Sequence, residues 1–212
     1  NQPNIGLWNL YQLANALYPI INDAAPLEEI LNAYKVDYET ASLKMMQSKL
    51  GLFTNHKDDL LLIQKLEENL HLVETDMTIF FRQLGNFTKE NSLDALNSIK
   101  KSFYNLSAVS NDVKSKWQSW FLKYADRLEK ESFSDAERKE RMNAINPKYV
   151  LRNYMAQLAI DATDNGDYTL IDELFLLLKK PYAEQPENEK WFAKRPEWAR
   201  NKVGCSMLSC SS

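Results

Sequence analysis

Glycine and proline are scarce, five and seven in a chain of 212 residues, about half their usual joint share of roughly 12%. Valine occurs six times against 29 leucines. Few turn-formers and a helix-forming residue as the main apolar type exclude a β-sandwich or barrel and imply an all-α protein. Two cysteines and two histidines, His56 and His71, are too few for a disulfide scaffold or a zinc site. Low cysteine use fits a cytoplasmic protein. A net charge of −3 and a pI near 5.6 exclude a nucleic-acid or anionic-membrane binder, which needs a basic face to displace counterions. The basic runs Lys100-Lys101 and Arg138-Lys139-Glu140-Arg141 are solvated helix faces. Residues 1–22 carry no charge, yet Asn4, Asn9, Gln12 and Asn15 make the stretch too polar for a bilayer core, and no basic residues mark a signal peptide. It reads as a buried helix. The chain starts at Asn1 rather than Met, which fits the back part of something longer.

What is present is helical periodicity. Leu7, Leu10, Tyr11, Ala14, Leu17, Tyr18 and Ile21 follow the i, i+3, i+4, i+7 rule. Pro26 opens a second helix that runs to Leu50, with Gly51 as its stop. Asp58 or Asp59 starts a third, ending near Leu70. Thr75 caps a fourth from Asp76 to Leu84, closed by Gly85-Asn86. A fifth follows Asn91-Ser92 and reaches Phe103. Ser110 starts a long one to Lys130, with Trp117, Trp120, Phe121, Tyr124 and Leu128 on one face. Ser134-Asp135-Ala136-Glu137 is a cap with acids where the helix dipole favours them. Asn146-Pro147 is read as the start of a helix to Asp164, and Thr169–Lys179 follows. From Tyr182 the pattern breaks into a tail with Trp191 and Trp198 as expected docking anchors. The expected architecture is therefore an irregular bundle of about nine helices over residues 1–182, with a docked extended tail at 183–212.

Self-contained chemistry is hard to find. The five glycines are scattered, so no loop can cradle a phosphate, and no H-E-x-x-H occurs. Asp161, Asp164 and Asp167 could hold a cation, but turn chemistry around Asn165-Gly166 explains them more simply. Arg82, next to Phe80 and Phe81, is expected to make a helix-anchoring ion pair rather than to bind phosphate. No catalytic, cofactor-binding or metal-ligating residue is assigned. Cys210, and less strongly Cys205, are the candidates for redox chemistry, because exposed tail thiols suit disulfide exchange.

One run carries more information. Asn146-Pro147-Lys148-Tyr149-Val150-Leu151-Arg152-Asn153-Tyr154, with Gly166-Asp167-Tyr168, Pro181-Tyr182, Gln185-Pro186 and the end Ser209-Cys210-Ser211-Ser212, resembles the C-terminal part of the selenoprotein O family. Gln2-Pro3, Ile5 to Leu10 and Leu13-Ala14 look like the segment just after that family's catalytic region, and Asp76 to Leu84 is similar to its helical middle. The resemblance implies a protein adenylyltransferase with a kinase-like fold, which moves AMP from ATP to protein hydroxyl groups using Mg or Mn. The nucleotide-gripping and metal-binding residues of the family have no counterpart here. The chain therefore looks like a C-terminal part without the active site, residues 1–22 being the end of the kinase-like large lobe. Its implied partners are the upstream kinase-like domain and the protein substrates of the parent, with no nucleic acid and no membrane. Cys210 stands third from the end, where some members carry a redox-active selenocysteine. Met207 occupies the place of the cysteine that pairs with it in some members. A reading of another class remains open beside this one: a free-standing helical scaffold with the aromatic stripe and the first helix as partner surfaces.

Overall fold

The computed structural model describes residues 2–203 and 205, and within 91–93 the backbone alone. The described residues form nine α-helices and five short 3-10 turns, with no β-strand. They are all-α, as composition implies. Instead of one bundle they form two compact units, Asn1–Gln47 and Ser48–Ser212.

The first unit is a helical hairpin of α1 (Gln2–Ile21) and most of α2 (Ala25–Lys49). Asn22, in the left-handed region at φ 53°, ends α1. The Asp23 carboxylate accepts the Ala25 N–H at 3.0 Å and opens α2. Gly6 allows the close approach: a Cβ there would lie 2.6 Å from the Tyr34 hydroxyl oxygen, which donates to the Pro3 carbonyl. No residue of α1 is buried, so the expectation of a buried first helix does not hold in this chain.

The second unit contains α3 (Asp59–Leu70), α4 (Met77–Leu84), the single turn α5 (Leu96–Ile99), α6 (Asn111–Leu128), α7 (Asp135–Ile145), α8 (Asn153–Asp164) and α9 (Thr169–Leu178). The tail adds 3-10 turns at Pro186–Trp191 and Glu197–Arg200. Helix α6 is the central element. Its aromatic stripe is buried throughout, with Trp117, Phe121 and Tyr124 fully enclosed. Trp117 meets Phe80 at 5.6 Å and Phe103 at 6.0 Å, and Phe87 stacks on Phe121 at 5.4 Å. Each large ring removes apolar area worth about 25 cal/mol per Å² from water. Two of the polar tips are satisfied, Trp120 donating to the Leu62 carbonyl at 2.9 Å and Tyr124 to the Leu50 carbonyl at 2.6 Å, while the buried Trp117 indole N–H finds no partner among the described residues. Burial pushes the Tyr124 hydroxyl up to about 12, so it stays a donor at any working pH.

Three boundaries differ from expectation, each for a visible reason. Asp76, not Thr75, caps α4, its carboxylate accepting the Ile79 N–H at 3.0 Å, while the Thr75 hydroxyl turns back to the Val73 carbonyl. The expected helix from 92 to 103 shrinks to α5 between two 3-10 turns. Ser98 and Ser102 each bond the carbonyl three residues back, and Ser102 then gives its own carbonyl to the Asp76 N–H. That bridge straightens the chain and drops Phe103 into the core. Asn146-Pro147 starts no helix. The Asn146 N–H closes α7 on Met142, and the N–H groups of Lys148 and Tyr149 both donate to the Pro181 carbonyl at 2.8 and 3.1 Å. A distant carbonyl outcompetes the local turn, and α8 begins only at Asn153.

A buried charge cluster joins α3 to α6. The Arg127 guanidinium bonds Asp59 at 2.5 Å, Glu131 at 2.9 Å and the Thr54 carbonyl at 2.5 Å. Burial alone would raise the Glu131 carboxyl, but hydrogen bonds from Thr54 and the Arg127 charge outweigh it and hold the carboxyl below its usual 4.5. Arg127→Ala strands two buried carboxylates and is expected to cost about 3–5 kcal/mol in urea unfolding. The Glu131 contribution is present above pH about 4.5 and fades as pH falls through the lower folded value. Wild type should therefore lose stability more steeply with acid than Glu131→Gln does.

Candidate functional site

The Asn146–Tyr154 run lies where the helical body meets the tail. The amide of Asn146 donates to the Lys49 carbonyl at 2.9 Å. Lys148 is buried and its ammonium group bonds the Glu189 carboxylate at 2.6 Å and both the carboxylate and the carbonyl of Glu184, at 3.0 and 2.9 Å. The Tyr149 hydroxyl donates toward the Glu184 and Gln185 carbonyls. Gln185 sits in the left-handed region at φ 42°, a conformation these bonds hold in place. From the other side the Arg82 guanidinium reaches the same Glu184 carboxylate at 2.6 Å. It also bonds the carbonyls of Asn143, Asn146 and Tyr182. Burial would raise the Glu184 carboxyl, yet Lys148 and Arg82 together hold it below its ordinary value. Arg152 completes the set with a two-pronged ion pair to the buried Asp76 carboxylate. Burial disfavours the Arg152 charge, but Asp76 more than restores it.

This arrangement binds one part of the chain to another; it holds no nucleophile and base in reach of each other. Arg82 makes the helix-anchoring ion pair that its setting implies. Asp161 is taken by Gln157 at 2.7 Å and Lys202 at 2.6 Å, and Asp167 accepts the Thr169 N–H at the start of α9, so turn and ion-pair chemistry accounts for both. Among the described residues no group of three or more His, Cys, Asp or Glu comes together as a metal site. Among the described residues no helix is long and apolar enough to cross a membrane.

The tail docks through Trp191, as expected, but not through Trp198. Trp191 is 9% exposed and donates to Glu173 at 2.7 Å. Trp198 stays 46% exposed, touching Tyr154 by its edge. Its neighbour Ala199 is fully buried instead, because the turn Glu197–Arg200 points Ala199 at the body. Trp191, Ala199 and Cys205 join Tyr149, Tyr154, Met155, Ala159, Leu174 and Leu177 in one apolar cluster. Cys205 is thus a free thiol buried among side chains, shielded from the exchange expected of an exposed tail cysteine. Cys210 lies outside the described residues. Sequence reasoning missed Glu184 as the shared acceptor of Arg82 and Lys148, and Asp76 as the partner of Arg152. The only signal was a cation with no acid at helical spacing.

These helices, knitted by a clamp between α4, the end of α7 and the tail, make an all-α module. The family model described as protein adenylyltransferase SelO matches residues 1–179. The chain belongs to that family. It is similar to the protein nucleotidyltransferase YdiU of Flavobacterium johnsoniae, 56% identical over 213 residues, all of this chain and 41% of that protein. The same-named proteins of Aromatoleum aromaticum and Rhodopirellula baltica are each 43% identical, over all of this chain and 40% and 42% of theirs. The chain thus spans about two fifths of the curated relatives it matches.

The clamp makes a direct prediction. Glu184→Ala leaves the buried Arg82 and Lys148 each short of a partner and is expected to cost about 1–2 kcal/mol, the low end because the carboxylate is more than half exposed. Trypsin should then cut at Lys190 and Lys194 several-fold faster than in wild type, with α6 still protected.

Proposed function

We propose that the chain is the C-terminal helical part of a cytoplasmic protein adenylyltransferase, which transfers AMP from ATP to hydroxyl side chains of proteins. In this reading it supports an upstream kinase-like domain of the same polypeptide. ATP and Mg or Mn belong to that upstream domain, whose protein substrates are also its partners. The observation that carries the reading is α1. It has no charged residue and no buried one, and Trp8, Tyr11, Leu13 and Ile20 are 60%, 53%, 53% and 81% exposed. Its groove with α2, about 600 Å³, is lined by Leu7, Trp8, Tyr11 and Leu31 among others. An apolar stripe of this length marks a surface made to be covered. The part of the relatives that this chain does not span supplies a cover in cis. Cys210 is the redox element: its thiol and a second thiol become a disulfide, passing two electrons and two protons to an oxidant such as glutathione disulfide.

Trp8→Asp with Leu13→Asp in the full-length parent is expected to lower AMP transfer, read by intact mass of a protein substrate, at least tenfold. The same changes in the 212-residue chain should leave its melting temperature nearly unchanged, since nothing buried is lost. Unchanged AMP transfer would remove the supporting role, and the scaffold reading would then hold the stripe for a foreign partner. The chain alone should bind ATP more weakly than micromolar by calorimetry, because phosphoryl-type transfer depends on positioned cations and phosphate-holding groups. For the tail, AMP transfer by the parent should differ between reducing and oxidising buffer, and Cys210→Ala should abolish the difference.

A further inference from the structure

Helix α9 carries more apolar surface than its own packing uses. Leu174 and Leu177 are buried in the tail cluster, and Leu170 and Leu178 pack against it. On the opposite side Tyr168, Ile171, Phe175 and Leu176 stand 61%, 45%, 61% and 63% exposed. Helical spacing sets these four in one outward stripe with Asp172 and Lys179, which are both exposed. The Lys179 ammonium lies 5.5 Å from the Phe175 ring centre. Beside the stripe runs the groove between α8 and α9, about 460 Å³, lined by Leu151 and Ile160 among others. A helix apolar on nearly every side belongs in an interior, and an exposed patch of this kind marks a binding surface.

Charge placement selects the occupant. The acid of the stripe, Asp172, lies in the first half of α9, and the bases, Lys179 and Lys180, lie at its end. A second α9 laid antiparallel, about a two-fold axis between Phe175 and Leu176, sets Asp172 of each copy against Lys179 of the other. The same axis puts Phe175 of each copy opposite Leu176 of the other. A parallel pair would set Asp172 against Asp172 and Lys179 against Lys179, with the helix dipoles aligned. A face that fits its own copy about a two-fold axis is what an isologous dimer requires. Each copy offers on the order of 500 Å² here, so the pair buries about 1,000 Å² in total, the low end for a specific interface.

We propose that this face of α9 binds a second copy of the chain, giving a weak antiparallel two-fold dimer. The dimer stands whether or not the parent transfers AMP.

Sedimentation equilibrium tests it in the 212-residue chain carrying Trp8→Asp and Leu13→Asp, so that α1 adds no association of its own. The chain should pass from monomer to dimer with a dissociation constant on the order of 10–100 μM, as an interface of this size allows. Phe175→Asp should leave it monomeric throughout, with its circular dichroism unchanged because that side chain is exposed. Asp172→Lys and Lys179→Asp should each weaken dimerisation at least about fivefold, and the two exchanges together should restore it. A monomer at every concentration overturns the proposal. So does a dimer that survives Phe175→Asp, or a double exchange that restores nothing. The full-length parent should show the same Phe175-dependent dimer. A monomeric parent overturns the proposal too, and assigns the stripe to the part of the relatives that this chain does not span.

Discussion

The larger unit depends most on the Arg82 guanidinium. One planar group near the end of α4 bonds carbonyls at positions 143, 146 and 182 and the carboxylate of Glu184, so it fixes the end of α7 and the start of the tail at once. A buried cation is costly unless every donor is matched, and that cost makes the arrangement selective. If the tail left, Arg82 would lose both Tyr182 and Glu184. Lys148 would lose Glu184 and Glu189, and Tyr149 both its acceptors. Undocking the tail would therefore strand charges as well as expose the apolar surface of Trp191, Ala199 and Cys205. Arg152 with Asp76 repeats the device a few residues on. There the carboxylate that caps α4 is the one that fixes the start of α8.

The same logic explains why the Asn146–Tyr154 run is so specific as a sequence. Its polar residues face different parts of the molecule: Asn146 the end of α2, Lys148 and Tyr149 the tail, Arg152 the cap of α4. None of these partners is local, so no substitution within the run can compensate for another. A stretch that would pass for a catalytic motif by its density of Asn, Lys, Tyr and Arg is a junction, and its chemistry is hydrogen bonding between fixed partners.

How much of this was legible follows from the range of the forces involved. Helices α1, α2, α3 and α6 announce themselves because apolar periodicity is a local property that tertiary structure reinforces. The capping box at Ser134 and Glu137 is likewise local and forms as read. Asn146-Pro147 misleads because the competing acceptor, the Pro181 carbonyl, is 34 residues away and invisible to any window. Trp198 misleads for a related reason: its size argues for burial, but the turn it sits in gives the inward position to Ala199. The position of Cys205 in an apolar cluster was hidden too, since small residues around it suggested a loose end. The family, by contrast, was readable from a handful of short runs. Family signatures record the long-range pairings that physical windows cannot see.

Two apolar surfaces of opposite kind remain, and their difference is informative. The α1 stripe spans the length of its helix and buries none of its residues, which asks for a partner as large as a domain. The α8–α9 groove is short, about 460 Å³, with Ile160, Ile171 and Phe175 along it. A domain-sized surface settles assembly once, whereas a groove this small suits an occupant of a few side chains.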